Sequence, residues 1–237
     1  MIQVALCPSE IRRISTMDLS GVTAVVFDVL RATSSIITGL ASGAEAIIPV
    51  RTVEEARKLK LNDSDLLLAG EREGLPPEGF NLGNSPEEFE QIKGRRVVMT
   101  TTNGTVAIEA MKVAARVLIG SLLNIDALAD YLFRHRPKNL LLVCAGTGEE
   151  FSLEDAIGAG ALVARLPDDL GLSDPAILVR SLYERVGDDV LEWLRQTTNG
   201  KLLQKLGKDA DIRRCAQLSV FDVVGQLKDE KLIPLVG

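Results

Sequence analysis

The chain has 237 residues, 46% hydrophobic and 25% charged, enough for a sizeable core in one large domain or two small ones. Its formal charge of −6, its 4% aromatic content and the lack of any Lys/Arg-rich run argue against nucleic acid and anionic membranes as partners. Three widely spaced cysteines (Cys7, Cys144, Cys215) without a C-x-x-C, an N-terminus (MIQVALCPSE) without a basic region leading into an apolar stretch, and no run of about 18 apolar residues lead us to expect a cytoplasmic protein.

In chain order, VTAVVF (Val22 to Phe27) predicts a buried strand, Ala32 to Leu40 a helix stopped at Gly43, and Ala46 to Val50 a second strand. Thr52 with Glu55 is a capping box opening a helix to Leu61, and Asp65 to Ala69 is a third strand. Ser85-Pro86-Glu87-Glu88 opens a short helix, with Ser at N-cap and Pro at N1. Arg96 to Thr100 reads as strand, Thr105 to Ala115 as helix, Arg116 to Ile119 as strand, Ile125 to Arg134 as helix and Asn139 to Cys144 as a central strand. A helix starts near Ser152. From Ser173 onward the pattern is mostly helical, with one helix from Asp174 to Val186 continuing towards Gln196.

Strands separated by helices imply an α/β protein, layered α/β/α around a mostly parallel or mixed sheet. We expect a single domain over residues 1–237; two similar halves are the alternative, with no readable boundary. VVFDVLRATSS and RVVMTTTNGT continue similarly, as SIITGLASGAEAIIPV and VAIEAMKVAARVLIGS. This echo fits either duplication of a strand–loop–helix–strand unit or the ordinary repetitiveness of α/β chains.

Ligands of open α/β sheets bind beyond the carboxyl ends of strands, which directs attention to the loops there. In the first, Asp28 stands at a strand tip suited to ligate a metal or attack phosphorus. Arg31 offers a planar fork for phosphate or sulfonate, and Thr33 and Ser34 lie at a helix N-terminus. The same residues also suit a helix cap paired with Arg31. In the second loop, Thr100 to Thr105, the hydroxyls, Asn103 and Gly104 form a cradle for an anion or an ordinary Thr-capped turn. In the third, Gly146 and Gly148 precede Ser152-Leu153-Glu154-Asp155, half of a Mg²⁺ site or a capping-box variant. In the fourth, the Gly/Pro-rich stretch from Gly70 to Pro86 brings Glu71 and Arg72. A P-loop and a G-x-G-x-x-G are absent, and Leu30 stands where haloacid-dehalogenase phosphatases carry their second aspartate.

The strings VFDVLRATSSI, GEREG with GFNLGNSP, TTTNGT, and AG with FSLEDAIGAG occur in this order over roughly residues 25 to 160. Together they resemble the 2-phosphosulfolactate phosphatase family. The resemblance implies a fold peculiar to that family, Mg²⁺ dependence, and hydrolysis of 2-phospho-3-sulfolactate to 3-sulfolactate and phosphate on the way to coenzyme M. One departure is Ser219-Val220, where the family leads us to expect Asp-Ser. Combining both lines, the expected catalytic residues are Asp28, Arg31 and Asn103. The expected substrate-binding residues are Thr33, Ser34, Arg72, Thr102, Gly104 and Thr105. The expected metal ligands are Asp28, Glu71, Glu154 and Asp155. Attack on phosphorus comes either from water or from a carboxylate that becomes an aspartyl-phosphate. Hydrolysis of another small phosphoester and non-catalytic anion binding are the rival readings. The partner is a small phosphorylated sulfonate or carboxylate; a homodimer is common among cytosolic α/β enzymes.

Overall fold

In the computed structural model, which describes residues 1–167 and 169–235, the first half of the chain forms β1 (Ile2–Ala5), α1 (Pro8–Ile14), β2 (Val22–Phe27), α2 (Ala32–Ala41), β3 (Ala46–Pro49), α3 (Val53–Asn62), β4 (Leu67–Gly70), α4 (Pro86–Phe89), β5 (Arg96–Thr100) and α5 (Gly104–Met111). The second half forms β6 (Arg116–Gly120), α6 (Ile125–His135), β7 (Asn139–Cys144), α7 (Leu153–Val163), α8 (Asp174–Val186), α9 (Val190–Gln196), α10 (Thr198–Lys205), α11 (Asp209–Cys215), β8 (Gly225–Lys228) and β9 (Lys231–Pro234). The strands form one sheet in the order β1-β7-β2-β6-β8-β9-β3-β5-β4.

This sheet is mixed in an instructive way. β1, β7, β2 and β6 are mutually parallel, as are β3, β5 and β4. The β8–β9 hairpin joins the two blocks by antiparallel pairing with β6 on one side and β3 on the other. The two echoed sequence units are the crossovers β2-α2-β3 and β5-α5-β6, which run between the blocks in opposite directions.

Alternation along the strands divides the core into the two faces expected of an α/β/α layering. Val25 and Phe27 of β2 pack with α6, α7 and α8; Ala24 and Val26 pack with α1, α2 and α5. α2 and α7 are buried around nearly their whole circumference, which explains their runs of Ala, Gly, Ser and Ile in place of an amphipathic stripe. Gly160 in α7 has a specific packing role: a Cβ there would lie 2.0 Å from Val179 O, so the close α7–α8 contact requires glycine.

The expected strands and helices are present within a few residues of their predicted ends, and the Thr52–Glu55 capping box forms. Three features differ. The expected helix towards Gln196 breaks at Gly187 (φ 56°), giving α8 and α9. β1 and α1 stand where no element was expected. The mostly helical C-terminus ends in the β8–β9 hairpin, whose two-residue turn, Asp229-Glu230, takes positive φ at both positions (49° and 62°) without any glycine. The usual Asn-Gly signal for such a turn is missing. Among the described residues no helix is long and apolar enough to cross a membrane, and all three cysteines are free thiols.

Candidate active site

Loops from both parallel blocks meet at one cleft of about 180 Å³. Asp28, Leu30 and Arg31 follow β2; Glu71, Glu73, Gly74 and Asn84 follow β4; Thr102 and Asn103 follow β5; Gly146, Thr147 and Gly148 follow β7. Asn199, Leu202 and Leu203 of α10 close it from the C-terminal region. Sheets this wide twist strongly, which lets the carboxyl ends of two oppositely directed blocks face one site.

Asp28 sits at the centre. Its Oδ1 accepts from Ala32 N (3.0 Å), so it caps α2, while Oδ2 accepts no hydrogen bond from the described residues and lies against Gly104. A Cβ at Gly104 would fall 2.5 Å from this oxygen, so only glycine lets α5 start so close to the carboxylate. Burial pushes the Asp28 carboxyl up to about 7; the Ala32 N–H opposes this, and the charges of Glu71 and Glu154 add to it. Burial also raises Glu154 and, with the charges of Asp28 and Glu154 behind it, raises Asp155 well above the usual range.

Arg31, 2% exposed, does not pair with Asp28. It donates to Asp211 Oδ2 of α11 (2.5 Å) and to Gly74 O (3.0 Å), and Ser85 Oγ donates to the other oxygen of Asp211 (2.6 Å). A guanidinium carries five N–H donors, so donors remain for a ligand. Asn103 is a clamp: its Nδ2 donates to Ala145 O and Gly148 O, and its Oδ1 accepts from Gly148 N, fixing the glycine loop to α5.

Several expected site residues shape the cleft from behind. Thr33 is fully buried and brackets Asp28, accepting from Asp28 N and donating to Asp28 O. Ser34 donates to Val29 O and meets Ser121 Oγ. Thr105 accepts from Thr101 N and donates from its own N to Thr101 Oγ1. Arg72 donates to Glu71 O and Thr100 Oγ1 and does not line the cleft. Thr102 lines it directly.

The four expected metal-binding acids differ in what their oxygens already hold. Asp155 accepts from Val29 N and Gly146 N, one on each oxygen, tying the first loop to the third. Ser152 caps α7, as the capping reading has it, but Asp155 does not reach back to complete a box. Glu71 lines the cleft and accepts from Thr102 N and Gly74 N. Glu154 is buried and accepts from Asn199 Nδ2 (2.6 Å). Among the described residues, no three His, Cys, Asp or Glu side chains gather into a cluster that could hold a metal. Mg²⁺ needs no such cage: one or two carboxylates, waters and a ligand phosphate are its common donor set. Asp28, with a free oxygen, and Glu71 suit that sparse mode. Asp28, Glu71 and Glu73 line the cleft, and among the described residues the one cation that lines it, Arg31, is matched by Asp211.

Asp211 and Asn199 escaped the sequence reading, and Asn84 entered it only within the string GFNLGNSP, not as a site residue. Nothing marks Asp211 in DADIRRC. Asn199 did leave a trace: the string Thr-Thr-Asn-Gly occurs at 101–104 and again at 197–200, and both asparagines line the cleft. Ser219 lies away from the cleft, accepting from Asp126 N at the start of α6.

A family model described as 2-phosphosulpholactate phosphatase matches residues 9–230. A probable 2-phosphosulfolactate phosphatase of Thermotoga maritima is 44% identical over 208 residues, covering 86% of this chain and 88% of its own. Proteins of the same description from Caldicellulosiruptor saccharolyticus and Clostridium acetobutylicum are 40% and 37% identical, over 87% and 89% of this chain and 89% and 92% of theirs. The chain belongs to the 2-phosphosulpholactate phosphatase family.

Proposed function

We propose that this protein is a phosphatase that hydrolyses 2-phospho-3-sulfolactate to 3-sulfolactate and phosphate with Mg²⁺ as cofactor. A cytoplasmic location and a place on the way to coenzyme M belong to the same proposal. The names of its relatives support the substrate. The observation that carries the chemistry is Asp28, one oxygen pinned at the start of α2 and the other free towards the cleft.

Phosphoryl transfer asks mainly for positioning and charge neutralisation. Asp28 and Glu71 hold Mg²⁺, which supplies the positive charge that an acid-lined cleft lacks for an anionic ester. Arg31 offers its spare N–H donors to the ligand's anionic oxygens. Glu71, Asn103 and Asp155 each join two loops, so the cleft keeps its shape before the ligand arrives. In the reaction the attacking oxygen bonds to phosphorus, the P–O ester bond breaks, and the alcohol oxygen leaves with a proton.

Phosphate release from 2-phospho-3-sulfolactate, measured with Mg²⁺ and with chelator, tests this. Release is expected only with the metal. No release under either condition would refute the substrate, and equal release with chelator would refute the cofactor. Gly104→Ala is expected to lower kcat/KM by about 100-fold, because its methyl group drives the Asp28 carboxylate out of place. Wild-type turnover in that variant would show that the carboxylate does not need this position.

A further inference from the structure

The glycine loop after β7 spends its backbone donors within the protein. Gly146 N donates to Asp155 Oδ2, Thr147 N to Glu150 O and Gly148 N to Asn103 Oδ1. All three residues line the cleft, yet their amides are committed before a ligand arrives. The hydrogen they still offer is on the Thr147 hydroxyl. Thr147 Oγ1 accepts from Asn199 Nδ2 (2.8 Å), and among the described residues no acceptor takes its O–H.

A buried acid aims that hydroxyl. Glu154 is 1% exposed and does not line the cleft, and its Oε1 accepts from the same Asn199 Nδ2 (2.6 Å). This contact sets the amide: turned over, it would hold Oδ1 against a carboxylate oxygen, two acceptors with no hydrogen between them. One Nδ2 hydrogen therefore goes to Glu154 and the other to Thr147. A hydroxyl has one hydrogen and two lone pairs. With Asn199 on a lone pair, the hydrogen of Thr147 is directed away from α10. The repeated Thr-Thr-Asn-Gly strings thus grip adjacent residues of one loop, Asn103 holding Gly148 and Asn199 holding Thr147.

We propose that the Thr147 hydroxyl donates a hydrogen bond to an anionic oxygen of the ligand, and that Asn199, fixed by Glu154, is the positioning residue that keeps it in aim. The proposal rests on the phosphatase reading above and adds to it a ligand-binding group. An O–H facing an anionic oxygen makes a charge-assisted bond, the kind of contact that an anionic ester gains in a cleft also lined by Asp28, Glu71 and Glu73. The anionic oxygen belongs either to the phosphoryl group or to the sulfonate and carboxylate end.

The test compares kcat/KM of the Mg²⁺-loaded wild type with Thr147→Val, Thr147→Ser, Asn199→Ala and the double variant Thr147→Val/Asn199→Ala, each checked for folding by thermal melting. Asn199→Leu takes the place of Asn199→Ala if the latter does not fold. Thr147→Val is expected to lose about tenfold, and Thr147→Ser, which keeps the hydroxyl, to stay within about twofold of wild type. The double variant should fall no further than Thr147→Val alone, since an absent hydroxyl has nothing left to orient. Fully additive losses, a Val variant as active as wild type, or a Ser variant as weak as the Val one would each overturn the proposal. Calorimetric titration of wild type and Thr147→Val with inorganic phosphate and, separately, with 3-sulfolactate names the source: weaker phosphate binding means a phosphoryl oxygen, and weaker 3-sulfolactate binding means the sulfonate and carboxylate end. Equal affinities for both ligands in the two proteins overturn the proposal. If wild type releases no phosphate from the ester, the function reading fails instead, and the same titrations decide the Thr147 proposal, with no binding by wild type also overturning it.

Discussion

Asp28→Asn is expected to abolish turnover, by 1,000-fold or more in kcat, while making the metal-free protein more stable at alkaline pH. The substitution is isosteric. Asn can still accept from Ala32 N through its oxygen, so the cap on α2 survives. What disappears is the charged oxygen facing the cleft. The stability effect has a definite sign. The Asp28 carboxyl titrates near 3.8 when unfolded and near 7 in the fold, because burial penalises its charged form. Between those values the folded protein holds a proton that the unfolded chain has released. Stability from this group is thus complete below the unfolded value and is lost as pH rises through the folded one. Each unit is worth about 1.4 kcal/mol, so roughly 3 kcal/mol is lost between pH 5 and pH 8. Denaturant unfolding with chelator at those two pH values, for wild type and Asp28→Asn, measures it. The variant should lose less by about that amount, and equal losses would show that Asp28 is not the buried acid responsible.

Asp211→Ala should be the most destabilising single change at the cleft that leaves its lining residues in place. It strips the ion-pair partner from a guanidinium that is 2% exposed and the acceptor from Ser85 Oγ. Removing one side of a buried pair costs about 3–5 kcal/mol, because the remaining charge stays buried without compensation. Among the described residues Arg31 then keeps Gly74 O as its one hydrogen-bonded anchor, so KM should rise together with the loss of stability. Asp211→Asn keeps an acceptor for Ser85 and should cost less. A shift of the denaturant midpoint with unchanged slope identifies a true loss of stability. An Asp211→Ala variant within 1 kcal/mol of wild type would mean that Arg31 is held by other means.

Much of the fold was legible because local rules govern it. Short apolar runs became β2, β3, β5, β6 and β7, and Thr52 with Glu55 marked the start of α3 as capping chemistry requires. The β8–β9 hairpin was illegible because its turn uses Asp229 and Glu230 where a glycine signal would be expected, and its strands are recruited by the open edges of β6 and β3. No local pattern reports which edges remain unpaired. The site divides along the same line. Asp28, Glu71, Asn103 and Gly104 stood out as polar groups and a glycine at strand ends; the first three line the cleft and Gly104 packs against Asp28. Thr33, Ser34, Thr105 and Arg72 stood out equally, yet they hydrogen-bond the loops from behind, since loops this polar must satisfy their own buried backbone before they can meet a ligand.

The sequence by itself determined the alternation of strands and helices, the loops at the strand ends, and an acid at the tip of β2, because these depend on neighbours a few positions away. Only the tertiary structure decided that Asp28 would cap α2 with one oxygen and offer the other, and that Arg31 would answer to Asp211, 180 residues further on. It also decided that Asn84 Oδ1 would be buried with no hydrogen-bond donor among the described residues. Which charge neutralises which, and which polar atom is left over, depends on distances between segments that only the closed sheet sets.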